Sequence, residues 1–272
     1  MPRNPARDCH PGRGLVGFAD HGLMRVNFDD YAGEVSVRFG HSARADANKK
    51  KMWRKAYAPL MDDVRQAKRI LEYGCGGGEF LEFLGDNTTG DLVGCDISRS
   101  QLARAQTRLE SKKSVSLRSP LELSGEAPFD LVFSLHVIEH IPDEQLPGFV
   151  RELCRPLRPG GKLVISTPNG LNPFSYAYYM SADRTHHRMH SPMTLAQLLM
   201  HEGFSIDSVH RELPQIYDLM TFLKTIVWWA SSIFVKLAVL SNAAGVRQHR
   251  LPLIFAPTFY VVASRSKAGD GV

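Results

Sequence analysis

The chain has 272 residues, a hydrophobic fraction of 43% and a net charge of +5. That length and apolar fraction suit one large α/β domain with extensions, and exclude a small scaffold that needs disulfides or metals to hold its core. The mild basic excess is compatible with a small-molecule enzyme, an anionic membrane surface or nucleic acid, and does not choose among them.

Residues 1–30 are rich in Gly, Pro, Arg and Asp without a sustained period, which predicts a loose arm. No apolar run follows the first charges, which argues against a signal peptide. Trp53, Ala56, Tyr57, Leu60, Met61 and Val64 recur at helical spacing, so a helix is expected over 46–66, with Lys49, Lys50 and Lys51 on its solvated face. A regular alternation follows. Residues 69–73 form a short apolar strand, and 79–84 open a helix after Gly74, Gly76, Gly77 and Gly78. Residues 92–96 form a second strand ending in an acid, and Ser98 caps a helix over 99–111. Residues 115–117 and 129–135 are strands three and four, and 145–157 are helical. Arg158-Pro159-Gly160-Gly161 breaks that helix before a fifth strand at 162–166. A helix at 193–201 ends near Gly203, and 204–211 and 258–264 alternate as strands.

Short apolar strands alternating with helices predict a seven-stranded, mostly parallel sheet with helices on both faces, built from right-handed βαβ units. Such sheets bind ligands at the carboxyl ends of their strands. The first strand-to-helix turn, Glu72-Tyr73-Gly74-Cys75-Gly76-Gly77-Gly78, is therefore the expected site. Glycines there let the backbone approach a ligand and tolerate positive φ. A dinucleotide fingerprint would read G-x-G-x-x-G, but position 79 is Glu, which would set a carboxylate against a phosphate. A phosphate-free, positively charged nucleoside fits better. Glu72 can face its cationic groups, and Asp96, about 20 residues beyond the glycines, can accept from both ribose hydroxyls.

The order of motifs carries a resemblance. Glu-x-Gly-x-Gly-x-Gly at 72–78, Val93-Gly94-Cys95-Asp96-Ile97-Ser98, Phe129-Asp130-Leu131-Val132 with the following 134–143, and Leu157-Arg158-Pro159-Gly160-Gly161-Lys162-Leu163 fall in sequence over 69–167. Together they resemble the class I S-adenosylmethionine-dependent methyltransferases, with weaker similarity continuing to Phe204. The resemblance implies the Rossmann-like fold of that class and S-adenosylmethionine as cofactor. It implies cofactor contacts at Gly74, Gly76 and Asp96, with Leu135 alongside; Glu72, Gly78, Ile97 and Leu121 complete the candidate set. The family often has an acid after the third strand, near the adenine amino group. Here Pro120 takes that place, so adenine recognition falls to backbone groups near Leu121 or to Glu122.

The acceptor side is expected after the fourth strand. Methyl transfer needs in-line alignment, and a weakly acidic acceptor needs a base. His136, Glu139 and His140 are the candidate catalytic residues, with His140 the first choice for general base and His136 the second. The segment Leu135-His136-Val137-Ile138-Glu139-His140-Ile141-Pro142-Asp143 resembles ubiquinone-biosynthesis O-methyltransferases, whose equivalent Glu-x-x-Glu-His can hold a divalent metal. Here His136 replaces the first Glu, so no metal ligand is assigned and a divalent metal, though possible, is not expected. The order H-x-x-E-H also matches an inverted zinc-protease motif, but that motif must lie within a helix, and this one follows a strand and stops at Pro142. Equally, Glu139 and His140 can simply brace the turn. His186, His187 and His190 follow the fifth strand and either line the acceptor pocket or form a polar loop; only Asp183 would partner them at a metal.

Organisation and partners follow. Residues 1–45 are read as an N-terminal arm, 46–213 with 258–266 as the catalytic domain, and 214–257 as an apolar helical insert or cap. Within the insert, 219–240 approaches bilayer-spanning length, but Lys224 and Lys236 and its place between two strands of one sheet count against a span. A cap suits an aromatic, isoprenoid or lipid-linked acceptor and peripheral membrane contact. Cys9, Cys75, Cys95 and Cys154 form no CxxC pair and no zinc-like grid, which predicts reduced thiols and a cytoplasmic setting, with possible contact at the inner face of a membrane. The expected function is O-methylation of a small molecule. The alternatives are an N-methyltransferase, an RNA methyltransferase, for which no RNA-binding module is visible, and a non-catalytic membrane-associated binding protein. Oligomeric state is not legible.

Overall fold

The computed structural model describes residues 43–112, 114–126, 128–212 and 256–265, with isolated helical positions between 219 and 233. The expectations for 1–42 and for most of 214–257 lie outside the described residues. Seven strands form one sheet: β1 (Arg69–Tyr73), β2 (Asp91–Cys95), β3 (Val115–Arg118), β4 (Phe129–Leu135), β5 (Leu157–Pro168), β6 (Phe204–Glu212) and β7 (Thr258–Arg265), in the order β3-β2-β1-β4-β5-β7-β6. The first five pair in parallel, and β7 runs antiparallel between β5 and β6.

The helices are α1 (Ala43–Ala56), α2 (Met61–Gln66), α3 (Glu79–Gly85), α4 (Arg99–Arg108), α5 (Leu146–Cys154), α6 (Pro173–Ala182) and α7 (Pro192–His201). Alternate strand residues feed two cores because successive side chains face opposite sides of a sheet. Leu71, Val132 and Leu163 pack with Phe149 and Leu153 of α5 and Leu195 and Leu199 of α7. Ile70, Leu131 and Val164 pack with Tyr57, Val64, Phe80, Phe83 and Ala105 on the other face. The expected two-faced, seven-stranded sheet is present.

Two local expectations are corrected and one element is new. The helix over 46–66 is two helices, α1 and α2, joined by a tight turn at Ala58–Leu60; Pro59 lacks the N–H that a continuous helix needs and disfavours helical backbone before it. Residues 158–161 do not precede the fifth strand but bulge within it. The register steps from Phe129↔Leu157 to Leu131↔Lys162, with Gly160 at φ 73. Helix α6 lies in a segment to which the sequence reading assigns no element; it is capped by Asn172, whose side chain accepts from the Phe174 and Ser175 N–H groups. The Ser98 cap is as expected, its hydroxyl accepting from the Gln101 N–H at 3.2 Å. No described helix is long and apolar enough to cross a membrane.

Candidate active site

The carboxyl ends of β1, β2 and β4 meet at the glycine-rich turn. Gly74 has φ 83, and a Cβ there would fall 2.2 Å from Val137 Cγ2, so only glycine allows the β1 turn to lie against the turn after β4. Gly76 has φ 50 and nothing within 4 Å of where its Cβ would stand. Its N–H donates to Asp96 Oδ2 at 2.8 Å, and the Ser98 N–H donates to Asp96 Oδ1 at 2.8 Å. A carboxylate oxygen can accept more than one hydrogen bond, so these contacts do not exclude a ligand hydroxyl. Ile97, next to this acid in sequence, and Leu121, beyond the end of β3, are exposed apolar side chains.

Glu72 provides the test of cofactor fit. It is 3% exposed, and its Oε2 has no hydrogen-bond partner among the described residues. Burial, then the charges of Glu79 and Asp96, push its carboxyl well above the usual range. A buried carboxyl with one oxygen left unsatisfied among the described residues, next to the glycine turn in sequence, suits a cationic ligand, because a positive group would satisfy that oxygen and restore the charge. Glu79 instead pairs with Arg108 at 3.5 Å on the helical side of the turn. Glu122 bends back to accept from the Ser119 N–H and hydroxyl at 2.6 and 2.7 Å, which occupies one of its oxygens.

Beyond Leu135 the chain turns sharply. His136, at φ 55, is the only non-glycine residue with positive φ among the described residues. For a non-glycine residue that backbone is strained, and such strain clusters at functional sites. Its N–H donates to the Ser166 carbonyl at 2.9 Å. Its ring Nδ1 lies 3.2 Å from Oε1 of Glu139, which is fully buried, while the His136 side chain is 45% exposed. Thr167 Oγ1 donates to the other Glu139 oxygen at 3.0 Å. Burial pushes the Glu139 carboxyl up, but the hydrogen bond and charge of His136, with the charge of His140, outweigh it and hold it below the ordinary range. Burial lowers the His136 pKa, but the hydrogen bond and charge of Glu139, then the charge of Glu212, raise it above the ordinary value. An ionised Glu139 accepts from Nδ1–H, leaving Nε2 as the basic nitrogen of the neutral ring.

His140 is held differently. Thr185 Oγ1 donates to Asp183 Oδ1 at 2.6 Å and so accepts from His140 Nδ1, 2.8 Å away. The His140 ring packs 4.6 Å from that of His186, and burial depresses its pKa. His186 Nδ1 donates to the Tyr179 carbonyl at 2.9 Å, which ties α6 to this cluster. His187 is exposed and contributes its backbone N–H to the Glu139 carbonyl at 2.8 Å. His190 is buried and pairs with Asn169 as a backbone bridge. Glu139, His140 and His186 each bring a donor atom within 4.8 Å of the others, close enough to surround a cation. The hydrogen bonds above already engage both Glu139 oxygens and orient both rings, and we assign none of the three to a metal.

The structure thus brings together His136, Glu139 and His140, and adds Ser166, Thr167, Thr185 and Glu212, which carry no motif. Thr167 lies near the end of β5 and Thr185 in the loop that carries His186 and His187; Glu212 ends a strand with nothing in sequence to distinguish it.

A parallel sheet closed by an antiparallel β7, with an acid-flanked glycine turn and an acid ending β2, defines the S-adenosylmethionine-dependent methyltransferases. Residues 45–209 match the family described as methyltransferase domain, and the chain belongs to it. It is similar to ubiquinone biosynthesis O-methyltransferases of Pseudomonas fluorescens, 36% identical over 116 residues, and Pseudomonas syringae, 38% over 117. Each match covers 41% of this chain and 48% of the relative, so the chain spans about half the length of the curated relatives it matches. Its fold is that of a SAM-dependent methyltransferase from Archaeoglobus fulgidus, with TM-score 0.54 and 22% identity, over 81% of this chain and 94% of the other. It also matches magnesium protoporphyrin IX methyltransferase from Synechocystis with bound SAH, with TM-score 0.57 and 15% identity, over 88% and 96% of the two chains. The cofactor is S-adenosylmethionine.

Proposed function

We propose that the chain methylates an oxygen of a small-molecule acceptor of aromatic, isoprenoid or lipid-linked type, with His136 as general base. The observation that carries this reading is the hydrogen bond from the half-exposed His136 ring to the buried Glu139. It reverses the order expected from sequence, because His140 is packed among Thr185 and His186 and is better suited to bracing Glu139. The names of the Pseudomonas relatives support oxygen as the acceptor atom.

When bound, S-adenosylmethionine supplies an electrophilic methyl group on a sulfonium. Glu72 would hold its amino group, Gly74, Gly76 and Gly78 would let the backbone approach it, and Asp96 would accept from the ribose hydroxyls. Ile97 and Leu121 would cover the adenine, and Leu135 would lie beside the cofactor. A phenol, with a pKa of about 10, stays protonated at neutral pH, so His136 Nε2 removes its proton as the oxygen attacks. Glu139 fixes the ring and stabilises the imidazolium, and Thr167 fixes Glu139.

Peripheral membrane contact through 214–257 belongs to the same proposal. Leu219, Phe222, Leu223, Ile226, Val227, Trp229 and Ile233 are helical and exposed. The charged residues of 214–257 are Lys224, Lys236, Arg247 and Arg250 against Asp218, a balance suited to an anionic inner face.

The test is transfer of labelled methyl to a membrane extract. The reading expects an O-methylated lipid or aromatic product, lost in His136→Asn although S-adenosylhomocysteine still binds. Undiminished transfer by that variant overturns the base assignment, and a nitrogen-linked methyl overturns the acceptor assignment.

A further inference from the structure

Glu212 closes β6 and is 7% exposed. Tyr57 Oη and Ser166 Oγ donate to its Oε1 at 2.9 and 2.8 Å, and Thr258 Oγ1 donates to its Oε2 at 3.2 Å. All three partners are hydroxyls. Among the described residues these neutral donors hold the carboxyl group and no cation pairs with it, so it can act on the groups nearby through its field.

The placement of this carboxylate is tied to that of His136. Ser166 and Thr167 are consecutive residues near the end of β5, and consecutive strand residues face opposite sides of the sheet. Ser166 donates to Glu212, and Thr167 donates to Glu139 at 3.0 Å. The same Ser166 accepts the His136 N–H through its carbonyl at 2.9 Å. One dipeptide therefore fixes the strained backbone of His136 and two buried carboxylates, one on each face.

We propose that Glu212 is a positioning residue for the transfer, a second buried carboxyl group that Ser166 ties to the backbone of His136 and that favours the imidazolium. The proposal rests on His136 being the base. In the step, the acceptor oxygen forms the C–O bond and the C–S electron pair stays on sulfur. The acceptor proton moves to His136 Nε2 and leaves from there to solvent.

The surrounding titratable groups leave His136 as the proton carrier. Burial first, with the charge of Glu212, pushes Tyr57 and Tyr260 up, so both stay protonated. Burial, Tyr178 and the charges of Glu139 and Glu212 do the same to Tyr179 on α6. His140, across Glu139, is pushed down by burial and stays neutral. The charge of Glu212 adds to the hydrogen bond and charge of Glu139, against burial, in raising the affinity of His136 for a proton.

Glu212→Gln is the test, because the amide keeps an oxygen for Tyr57 and Ser166 and can donate to Thr258. Nuclear magnetic resonance of the His136 ring, assigned with His136→Asn, gives its titration midpoint without turnover. The expected result is a lower midpoint in Glu212→Gln, an acid limb of kcat displaced to lower pH, and an unchanged KM for S-adenosylmethionine. Glu212→Asp, which keeps the charge, should hold the midpoint closer to wild type and supplies a second variant if the first folds poorly. A His136 midpoint that is the same in wild type and Glu212→Gln overturns the proposal, as does an unmoved acid limb. Full activity in His136→Asn instead overturns the base assignment, and the turnover-free titration separates that failure from this one.

Discussion

Nδ1 of His136 stands 3.2 Å from Oε1 of Glu139, joining an accessible imidazole to a carboxylate that solvent does not reach. The arrangement orients the ring, fixes its tautomer and leaves one nitrogen to act.

Its first consequence is a pH profile. Only the neutral ring takes a proton, so kcat/KM should rise with pH through the elevated His136 pKa. Glu139→Gln removes the main charge that raises it and should move the acid limb to lower pH while lowering the plateau. His136→Asn should cost roughly 10²–10⁴-fold in rate, the usual contribution of a general base, with S-adenosylhomocysteine affinity unchanged. A pH–rate series on the three proteins decides it; coincident acid limbs in wild type and Glu139→Gln would refute the pairing.

A second prediction concerns Glu72. Burial and two neighbouring acids favour its protonated form before ligand arrives, and a cationic ligand favours the ionised form. Cofactor binding should therefore release a proton, and affinity should increase with pH across the range in which Glu72 ionises in the ligand-free protein. Calorimetry in two buffers of different ionisation enthalpy measures the release. Glu72→Gln should abolish it and weaken binding; equal enthalpies in both buffers with the wild type would rule the mechanism out.

Asp96 carries two duties. It holds the Gly76 and Ser98 N–H groups and, in the proposed function, also accepts from the ribose hydroxyls. Asp96→Ala should weaken cofactor binding by about 1–3 kcal/mol, and Asp96→Asn, which keeps one acceptor oxygen, by less. The dissociation constant for S-adenosylhomocysteine reads both, and an alanine variant that binds like wild type would remove Asp96 from the site.

Asp130 is a stability prediction. Its Oδ2 accepts from the N–H groups of Lys68 and Arg69 at 2.8 and 3.0 Å, and its Oδ1 from Arg158 Nε at 2.6 Å. Burial raises its pKa, but these donors outweigh it and hold the carboxyl below its ordinary value. The stabilisation is therefore complete above the unfolded-state pKa of about 3.9 and fades as pH falls through the lower folded-state value. Asp130→Ala should lose about 2 kcal/mol at neutral pH, with the gap to wild type narrowing in acid. Denaturant titrations at several pH values measure it, and a gap independent of pH would contradict the assignment.

The sheet and the cofactor turn were legible because their causes are local. Buried parallel strands read as short apolar runs, and the turn at Gly74 and Gly76 needs residues without a Cβ. Helix α6 was missed because Pro173–Ala182 is apolar on most sides and shows no 3.6-residue stripe. The division of the first helix was hidden by an apolar period that continues through Pro59. The choice between His136 and His140 depends on a backbone φ and on the Thr185–Asp183 relay, neither of which spacing encodes. Glu212 could not be read at all, since its hydrogen bonds join residues 155 and 46 positions apart.

Glu212 and Thr258 are partners in the β6–β7 register, and the chain between them leaves and re-enters the sheet across one strand spacing. Antiparallel neighbours can be joined by a turn of only a few residues, so nothing in the sheet dictates the length of this excursion. Lengthening a loop adds entropy only as the logarithm of its size, on the order of 0.6 kcal/mol per doubling. The excursion is thus a point where insertion or exchange costs the sheet little. Its length and content are free to vary while the strands that carry the glycine turn, His136 and Glu139 stay in register.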